Sequence, residues 1–161
     1  MNIPAAELSR RLQRFEEATR DAGIKLTHQR REIYRELAST GDHPDAETVL
    51  RGVRQRIPEI SVDTVYRTLS LLEDLGVVRA LGPRRDATRF DANLDAHHHF
   101  VCETCGMVRD FDHAEFDALR APSGLERLGT VSRVCVEVRG LCRECSRTRE
   151  SRGADDKRGS R

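Results

Sequence analysis

Residues 60–78 read ISVDTVYRTLSLLEDLGVV, and this stretch decides the architecture of the N-terminal half of the chain. Apolar residues recur in it at helical spacing. Ser61 is a favoured N-cap residue, and Gly76 is a residue type that commonly follows the last turn of a helix. The pattern predicts one helix with an inward stripe formed by Val62, Val65, Leu69, Leu72 and Leu75.

Three more helices are predicted before this one, and two short strands after it. The first helix carries an apolar stripe that includes Phe15, the second follows the N-cap residue Thr27, and the third begins near Asp45 and ends at Pro58. Strand-like stretches at 77–81 and 87–91 flank the turn sequence GPRRD. Helices followed by a two-stranded ribbon are typical of a winged helix-turn-helix domain, which we place at residues 1–91.

The remainder of the chain has a different character. Residues 92–96 resemble a hinge, and β alternation recurs at 97–102, 107–111 and 130–140, with a short helix predicted at 113–121. The tail at 147–161 is polar, charged and nearly free of apolar residues, so we predict that it is disordered. We therefore expect an α+β protein whose second domain is a small α/β domain at residues 97–146.

Composition excludes several classes of protein but does not indicate what the protein binds. Of 161 residues, 37% are hydrophobic and 34% are charged, and the net charge is +1. No window approaches the roughly 20 apolar residues that span a bilayer, and the first residues lack the apolar run of a secretory signal. These features predict a cytoplasmic protein without a membrane partner. Nucleic-acid binding, if present, must depend on the local placement of arginine and lysine.

Four of the five cysteines form two CxxC pairs, Cys102 with Cys105 and Cys142 with Cys145. Two such turns supply a complete tetrahedral thiolate shell, which Zn²⁺ favours, and they leave no ligand position open. We predict a structural zinc site, because neither pair lies in a thioredoxin-like βαβ pattern and a redox dithiol needs only one of them. Cys135 alternates along a strand-like segment and is predicted to be a small core residue.

A histidine run just before Cys102 is the second candidate site. On a strand, His97 and His99 share one face while His98 points to the other. Asp91 ends the predicted strand before these histidines, and Asp110 lies near the end of the one after them. This mixture of nitrogen and oxygen ligands suits Fe²⁺, Mn²⁺ or Zn²⁺ and favours iron or manganese. The spacing alone is equally compatible with a histidine patch that binds no metal. We find no nucleophile paired with a base and no phosphate-binding glycine loop, so an enzyme is not expected.

Taken together, the chain resembles the Fur family of metal-responsive repressors over roughly residues 8–146. The stretches that carry the resemblance are AGIKLTHQRREI (22–33), DHPDAETV (42–49), residues 60–78, TRFD (88–91), HHHFVCETCG (97–106) and GLCREC (140–145). The combination of TVYRTL with HHHxxCxxCG is highly specific. The resemblance implies a homodimer that binds a palindromic operator in double-stranded DNA.

The resemblance also implies roles for individual residues. The helix at 61–75 should lie in the major groove with Thr64, Tyr66 and Arg67 towards DNA, and Lys25 should lie near the minor groove. Arg84 and Arg85 of the wing are further candidates for contacts with the DNA backbone. The regulatory metal site carries over onto His43, Asp91, His97, His99 and Asp110.

Aspartate at both carboxylate positions is similar to the peroxide-sensing, PerR-like branch of the family, in which bound Fe²⁺ reacts with peroxide and a neighbouring histidine is oxidised. The alternatives are an iron-availability (Fur-like) or a zinc-responsive (Zur-like) repressor. Two departures from the family pattern stand out. Ala96 and Val134 occupy positions where an additional metal site of some relatives needs ligands, and Asp63 replaces a usually small residue.

Overall fold

The computed structural model describes residues 3–81 and 88–156, with side chains described as far as residue 149. The chain divides into two compact units, Met1–Asp95 and Ala96–Arg161. The division lies at the C-terminal end of the predicted hinge. Arg84 and Arg85 fall outside the described residues. Within the described part, no helix is long and apolar enough to cross a membrane.

The first unit consists of four helices followed by a two-stranded ribbon. The helices are α1 (Ala5–Asp21), α2 (His28–Ala38), α3 (Ala46–Arg54) and α4 (Val62–Asp74), and the strands are β1 (Arg79–Leu81) and β2 (Arg89–Asp91). The two strands are antiparallel, with Ala80 opposite Phe90. This order is the helix-rich winged arrangement that the hydrophobic pattern predicted.

The capping residues predicted from sequence start three of these helices. Thr27 Oγ1 accepts from the backbone N–H of Arg30 at 3.3 Å, Asp45 Oδ1 accepts from Thr48 at 2.8 Å, and Ser61 Oγ accepts from Thr64 at 3.1 Å. Each contact satisfies an N–H that has no partner within its helix. Gly76 follows α4 with a φ of 66°, which is the left-handed conformation that glycine adopts without strain.

The core of the first unit lies where its four helices meet. Phe15 of α1 stacks on Tyr34 of α2 with ring centroids 4.4 Å apart, and the Tyr34 hydroxyl donates to the Arg11 carbonyl oxygen at 3.2 Å. Helix α4 contributes Val65, Leu69 and Leu72 to this core. Val62 was predicted in the same stripe but is 46% exposed. It occupies the first position of α4, where the helix extends beyond the core.

The second unit is built on a three-stranded sheet. Its elements are β3 (His98–Cys102), β4 (Val108–Phe111), α5 (Ala114–Asp117), a 3₁₀ turn (Leu125–Arg127), β5 (Glu137–Gly140) and α6 (Arg143–Asp156). Strand β3 is central, antiparallel to β4 and parallel to β5. Only Glu137–Gly140 of the predicted strand at 130–140 pairs with β3, and Cys135, predicted to be a core residue, is exposed.

The C-terminal segment also differs from its prediction. Composition indicated disorder from residue 147, but α6 continues to Asp156. A segment without apolar residues cannot bury a face in a core, yet arginine and glutamate have good helix propensity. Cys142 just before α6 and Cys145 in its first turn belong to a cluster of four cysteines. This cluster holds the start of the helix, so the first turns form without a buried apolar stripe. Residues 157–161 lie outside the described part.

Candidate metal centres and nucleic-acid interface

Four cysteines converge at one end of the sheet in the second unit. Cys102 ends β3, Cys105 follows in the next turn, Cys142 immediately precedes α6, and Cys145 lies in the first turn of α6. All four sulfur atoms lie within 4.8 Å of one another, and the sulfurs of Cys105 and Cys142 are 3.9 Å apart. Sulfurs around a tetrahedral zinc ion with Zn–S bonds of about 2.3 Å lie about 3.8 Å apart. The cluster therefore fits Zn²⁺.

Backbone geometry explains why the first CxxC turn is formed. Gly106 adopts a φ of 67° and its N–H donates to the Cys102 carbonyl oxygen at 2.9 Å. The Cys102 N–H donates to Met107 at 2.8 Å, which closes the β3–β4 hairpin around the turn. Glu103 donates its N–H to the Gly140 carbonyl oxygen at 2.9 Å. This last bond ties the first cysteine pair to the segment that carries the second pair.

The electrostatics of the cluster favour bound metal. Backbone N–H groups of Cys105 and Cys142 point at the Cys102 sulfur and lower the pKa of its thiol to about 6. The neighbouring sulfurs, Cys142 first among them, raise the pKa of Cys145 to about 12. The backbone thus stabilises the thiolate of Cys102, whereas four negatively charged thiolates at this distance repel one another. A bound cation relieves that repulsion, because thiolates rather than thiols are the ligands of zinc.

Three ligand atoms of a different chemistry meet on β3 and β4 of the second unit. The Nε2 atoms of His97 and His99 are 2.9 Å apart, and they lie 3.5 and 3.6 Å from Asp110 Oδ1. His99 is directly opposite Asp110 in the β3–β4 register. Neighbouring ligands of one ion with bonds of about 2.1 Å lie about 3–3.5 Å apart. The two imidazoles and the carboxylate are therefore close enough together to be candidate ligands of one metal ion.

His98 lies on the other face of the sheet and has a different role. Its Nδ1 accepts from the backbone N–H of Val136 at 3.1 Å, which places the ring proton on Nε2. Nε2 is 3.0 Å from Asp117 Oδ1, and the ring packs against Phe111 and Phe116. Both ring nitrogens are thus occupied by hydrogen bonds, so His98 is a structural residue that connects β3, α5 and the segment before β5.

A second pair of candidate ligands lies in the first unit. His43 Nδ1 is 3.7 Å from Asp91 Oδ1, and both side chains are buried. Asp91 ends β2, where its Oδ1 accepts from the Asn93 N–H at 2.7 Å. His43 has a φ of 47°, a conformation that is uncommon for a residue other than glycine. Such strained residues occur preferentially at functional sites.

Strand β2 holds the strained His43 loop in place. The Arg89 guanidinium donates to the His43 carbonyl oxygen at 3.1 Å, and the Phe90 N–H donates to the Pro44 carbonyl oxygen at 3.1 Å. In the second unit, Arg133 donates to the His97 carbonyl oxygen at 2.8 Å. Sequence reasoning did not identify these supporting arginines, because a guanidinium that binds a main-chain oxygen leaves no spacing signature. The one indirect indication was that Arg89 lies within the TRFD stretch (88–91), which ends at the predicted ligand Asp91.

The predicted DNA-binding residues lie on the surface of the first unit. Tyr66 is 50% exposed, Lys25 is exposed and Thr64 is half-buried. The Arg67 side chain is 81% exposed, and its Nε lies 2.8 Å from Asp63 Oδ2. The buried residues of α4 are Val65, Thr68, Leu69 and Leu72, so the exposed residues occupy the opposite side of the helix. Helix α4 therefore presents a polar, aromatic face to solvent.

The sequence profile of the ferric uptake regulator family matches residues 21–133, which is most of the chain. The chain belongs to this family. Its members are metal-dependent repressors, and the helix-rich first unit and the metal-binding second unit correspond to the two-domain architecture of the family.

Individual relatives agree with this assignment. A peroxide-responsive repressor of Staphylococcus epidermidis is 34% identical over 126 residues, which cover 78% of this chain and 84% of that protein. A solved structure of the Helicobacter pylori ferric uptake regulator has a TM-score of 0.70 at 23% identity and covers 91% of this chain and 97% of its own. A zinc-bound manganese uptake regulator has a TM-score of 0.61 at 31% identity and covers 79% and 97%.

Proposed function

We propose that this protein is a metal-dependent transcriptional repressor that responds to peroxide, acts in the cytoplasm and is not an enzyme. Membership of the ferric uptake regulator family and the 34% identity to a peroxide-responsive repressor support this function. The main structural support for this function is that the chain has two separate groups of candidate metal ligands with different chemistry. One consists of four thiolates, and the other of imidazole and carboxylate groups, as expected for a structural and a regulatory metal.

The proposed regulatory site combines ligands from both units. His43 and Asp91 would come from the first unit, and His97, His99 and Asp110 from the second. Nitrogen and carboxylate ligands in this mixture suit Fe²⁺ or Mn²⁺, whereas the four cysteines suit zinc. A metal held by both units fixes the angle between them, because the hinge at 92–96 then has a ligand on either side.

DNA affinity follows from that angle. A dimer binds a palindromic operator only when its two recognition helices have the spacing of the two half-sites. Without metal, the competent geometry is one of many, and the apparent affinity falls by its fractional population. Bound Fe²⁺ would promote cleavage of the O–O bond of peroxide, so that one oxygen is added to a histidine ligand and the other leaves as water. Loss of that ligand would return the protein to the state with low affinity for DNA.

The surface of α4 supports the DNA-binding part of the proposal. We infer that Thr64, Tyr66 and Arg67 approach bases or phosphates in the major groove and that Lys25 approaches the minor groove. The arginine guanidinium pairs with guanine O6 and N7, and the exposed ring of tyrosine stacks or packs against sugar and base. The net charge of +1 is consistent with binding that depends on the placement of these groups rather than on bulk charge.

Exposed apolar residues of the second unit support a homodimer. Five side chains there are between 39% and 85% exposed: Leu119, Leu128, Val131, Val134 and Val138. Exposed apolar side chains that lie close together are common in interfaces between copies of a chain. We propose that this surface is covered by a second copy of the same unit.

A repressor that responds to metal supply is the second candidate, in an iron-availability or a zinc-responsive form. The 31% identity and the TM-score of 0.61 to a zinc-bound manganese uptake regulator favour keeping it. In that case occupancy of the His/Asp site alone is the signal, and peroxide has no specific effect.

Operator binding before and after a small dose of peroxide distinguishes these functions. The zinc-loaded protein is supplied with Fe²⁺ or Mn²⁺, and its DNA affinity is measured by fluorescence anisotropy. For a peroxide sensor, the iron form loses DNA irreversibly, one peptide that carries His43, His97 or His99 gains oxygen, and the manganese form still binds. If both forms hold DNA until a chelator is added, the protein senses metal supply.

Variants test the site itself. His97→Ala and His99→Ala should abolish metal-dependent DNA binding, while the zinc content and the dimer persist. His113→Ala is the matched control, because this histidine is exposed in the same unit and outside the proposed ligand set. Retention of metal-dependent binding by both ligand variants would contradict the assignment of the regulatory site.

A further inference from the structure

Helix α4 carries an ion pair on its exposed side that core packing does not require. Arg67 Nε lies 2.8 Å from Asp63 Oδ2, and the two side chains are 81% and 69% exposed. The pair spans one helical turn, on the side of α4 opposite to its buried residues. An acidic side chain is unexpected on a surface that meets phosphate groups, so its presence beside Arg67 calls for a physical account.

A contribution to protein stability does not explain why the Asp63–Arg67 ion pair is present. An exposed ion pair four residues apart on a helix contributes little to folding, because both charges are well solvated and both side chains lose rotamer freedom. A carboxylate in the first turn also interacts favourably with the helix dipole. That second effect needs only Asp63 and is independent of the residue at position 67.

The geometry of the contact suggests a role in reading a base pair. The contact that joins the two side chains is between Asp63 Oδ2 and Nε of Arg67, so it does not run through the terminal nitrogens of the guanidinium. Those terminal N–H groups form the fork that matches guanine O6 and N7 in the major groove. An arginine side chain kept near a carboxylate of its own helix loses less freedom when it binds a base, and the ion pair strengthens when DNA excludes water from it.

The opposite charges of Asp63 and Arg67 also favour sequence-specific over non-specific binding. Asp63 offsets the positive charge of Arg67, so the pair has little attraction for phosphate at an arbitrary sequence. An unpaired arginine at the same position binds the backbone of any DNA, because phosphate contacts carry no sequence information. The pair therefore lowers non-specific affinity and retains the directional contact with guanine.

We propose that Asp63 is a specificity-determining residue that positions Arg67 to read a G·C pair at one position of each operator half-site. The inference rests on the proposed DNA-binding function. It makes Asp63 a positioning residue and Arg67 the group that contacts the base. Removal of Asp63 should broaden sequence preference and raise affinity for non-operator DNA, instead of weakening binding uniformly.

The experiment measures base preference directly. The metal-loaded, full-length dimer selects from a double-stranded DNA library, bound fractions are sequenced, and affinities for the selected operator and for single-base variants are measured over a range of salt concentrations. The variants are Asp63→Ala, Asp63→Asn, Arg67→Ala and the double variant Asp63→Ala/Arg67→Ala. Glu59→Ala is the matched control, because it removes an exposed negative charge four residues before Asp63, in the turn that precedes α4, and leaves the pair intact. Thermal unfolding and zinc content confirm that each variant is folded.

In the wild type, replacing the guanine should cost roughly ten-fold in affinity or more. In Asp63→Ala, this discrimination should fall by about ten-fold at that position only, and the salt dependence should steepen by about one phosphate contact per subunit. Asp63→Asn should be intermediate. In the Arg67→Ala background, the further change Asp63→Ala should leave base preference unaltered.

Three results overturn the proposal in distinguishable ways. If Asp63→Ala keeps the base preference of the wild type, Asp63 acts only on charge or on the helix, and the positioning role is refuted. An equal change of preference in the Arg67→Ala background shows that Asp63 acts independently of Arg67. If the metal-loaded wild type selects no sequence from the library, the proposed function fails and the inference fails with it.

Discussion

The two units of this chain are stabilised by different means. In the described residues, the first unit contains an apolar core from Phe15 to Ala92, whereas the buried apolar residues of the second unit are Cys102 and Val108. The second unit instead buries three histidines and leaves several valines and leucines exposed. The first unit has the material to fold by hydrophobic burial alone. We expect the second unit to depend on its candidate metal ligands and on a second copy of the chain.

The largest effect is expected from loss of the four-cysteine site. Cys102→Ser should release zinc and unfold the second unit while the helices of the first unit persist, because the binding energy of a structural zinc is folding energy. Zinc content by metal analysis and the loss of protease protection after Ala96 measure this outcome. Cys135→Ser is the matched control, because Cys135 is exposed and lies outside the cluster. A Cys102→Ser protein that still binds zinc and forms dimers would refute the structural role.

The converse prediction concerns the core of the first unit. Leu69→Ala removes a fully buried side chain from α4 and should lower the free energy of unfolding of this unit by about 2–5 kcal/mol. The zinc content should not change, since the ligands belong to the second unit. Val62→Ala on the same helix should cost less than about 0.5 kcal/mol, because that side chain is 46% exposed. Urea unfolding, followed by helical circular dichroism, measures both values. Equal losses in the two variants would contradict the assigned core.

The comparison also shows where the sequence was informative. In the first unit, apolar period and capping residues predicted the helices, because burial and local hydrogen bonds leave a pattern along the chain. The exposure of Val62 escaped this reasoning, since a stripe does not reveal where the neighbouring helices end. In the second unit, alternation over 130–140 predicted a longer strand than Glu137–Gly140. Val131 and Val134 lie outside β5 and are exposed, so alternation in this segment does not mark the length of the strand.

The candidate sites were predictable to different degrees. The four cysteines followed from their spacing, because CxxC turns are local. The convergence of His97, His99 and Asp110 required the register of β3 with β4, which no single segment encodes. Arg89 and Arg133 were missed because they support ligands through main-chain oxygens. The ion pair of Asp63 and Arg67 is local at four residues, but spacing alone does not show that it forms.

A smaller effect is expected from the N-cap of α4. Ser61→Ala removes the acceptor for the Thr64 N–H and should lower the free energy of unfolding of the first unit by about 1 kcal/mol. Ser61→Asp should retain most of the stability, because aspartate is an equally favoured cap. Thermal unfolding of the zinc-loaded protein measures the difference. An unchanged melting temperature in Ser61→Ala would show that solvent satisfies this N–H as well as serine does.

The smallest expected effect tests how the end of the first unit is attached. Asp95 Oδ2 lies 2.6 Å from an Arg10 guanidinium nitrogen of α1, and this hydrogen bond lowers the pKa of Asp95 below its ordinary value. A carboxylate with a lowered folded-state pKa stabilises the fold above its unfolded pKa, and that contribution disappears as the pH falls through the folded pKa. Asp95→Asn should therefore be slightly less stable than the wild type at pH 7, by less than about 1 kcal/mol for so exposed a pair.

That difference should begin to shrink as the pH falls below about 3.9, the pKa of an unfolded aspartate, and should vanish below the lower folded-state pKa of Asp95. Because acid also protonates the cysteine thiolates, the quantity to compare is the variant's stability against the wild type at each pH, read from the helices of the first unit. Asp21→Asn, which removes an exposed carboxylate at the other end of α1, is the matched control. A constant difference for Asp95→Asn across this pH range would mean that the carboxylate charge does not hold Asp95 to α1. The segment that follows β2 would then be attached mainly through Arg79, which donates to the carbonyl oxygens of Asn93 and Leu94.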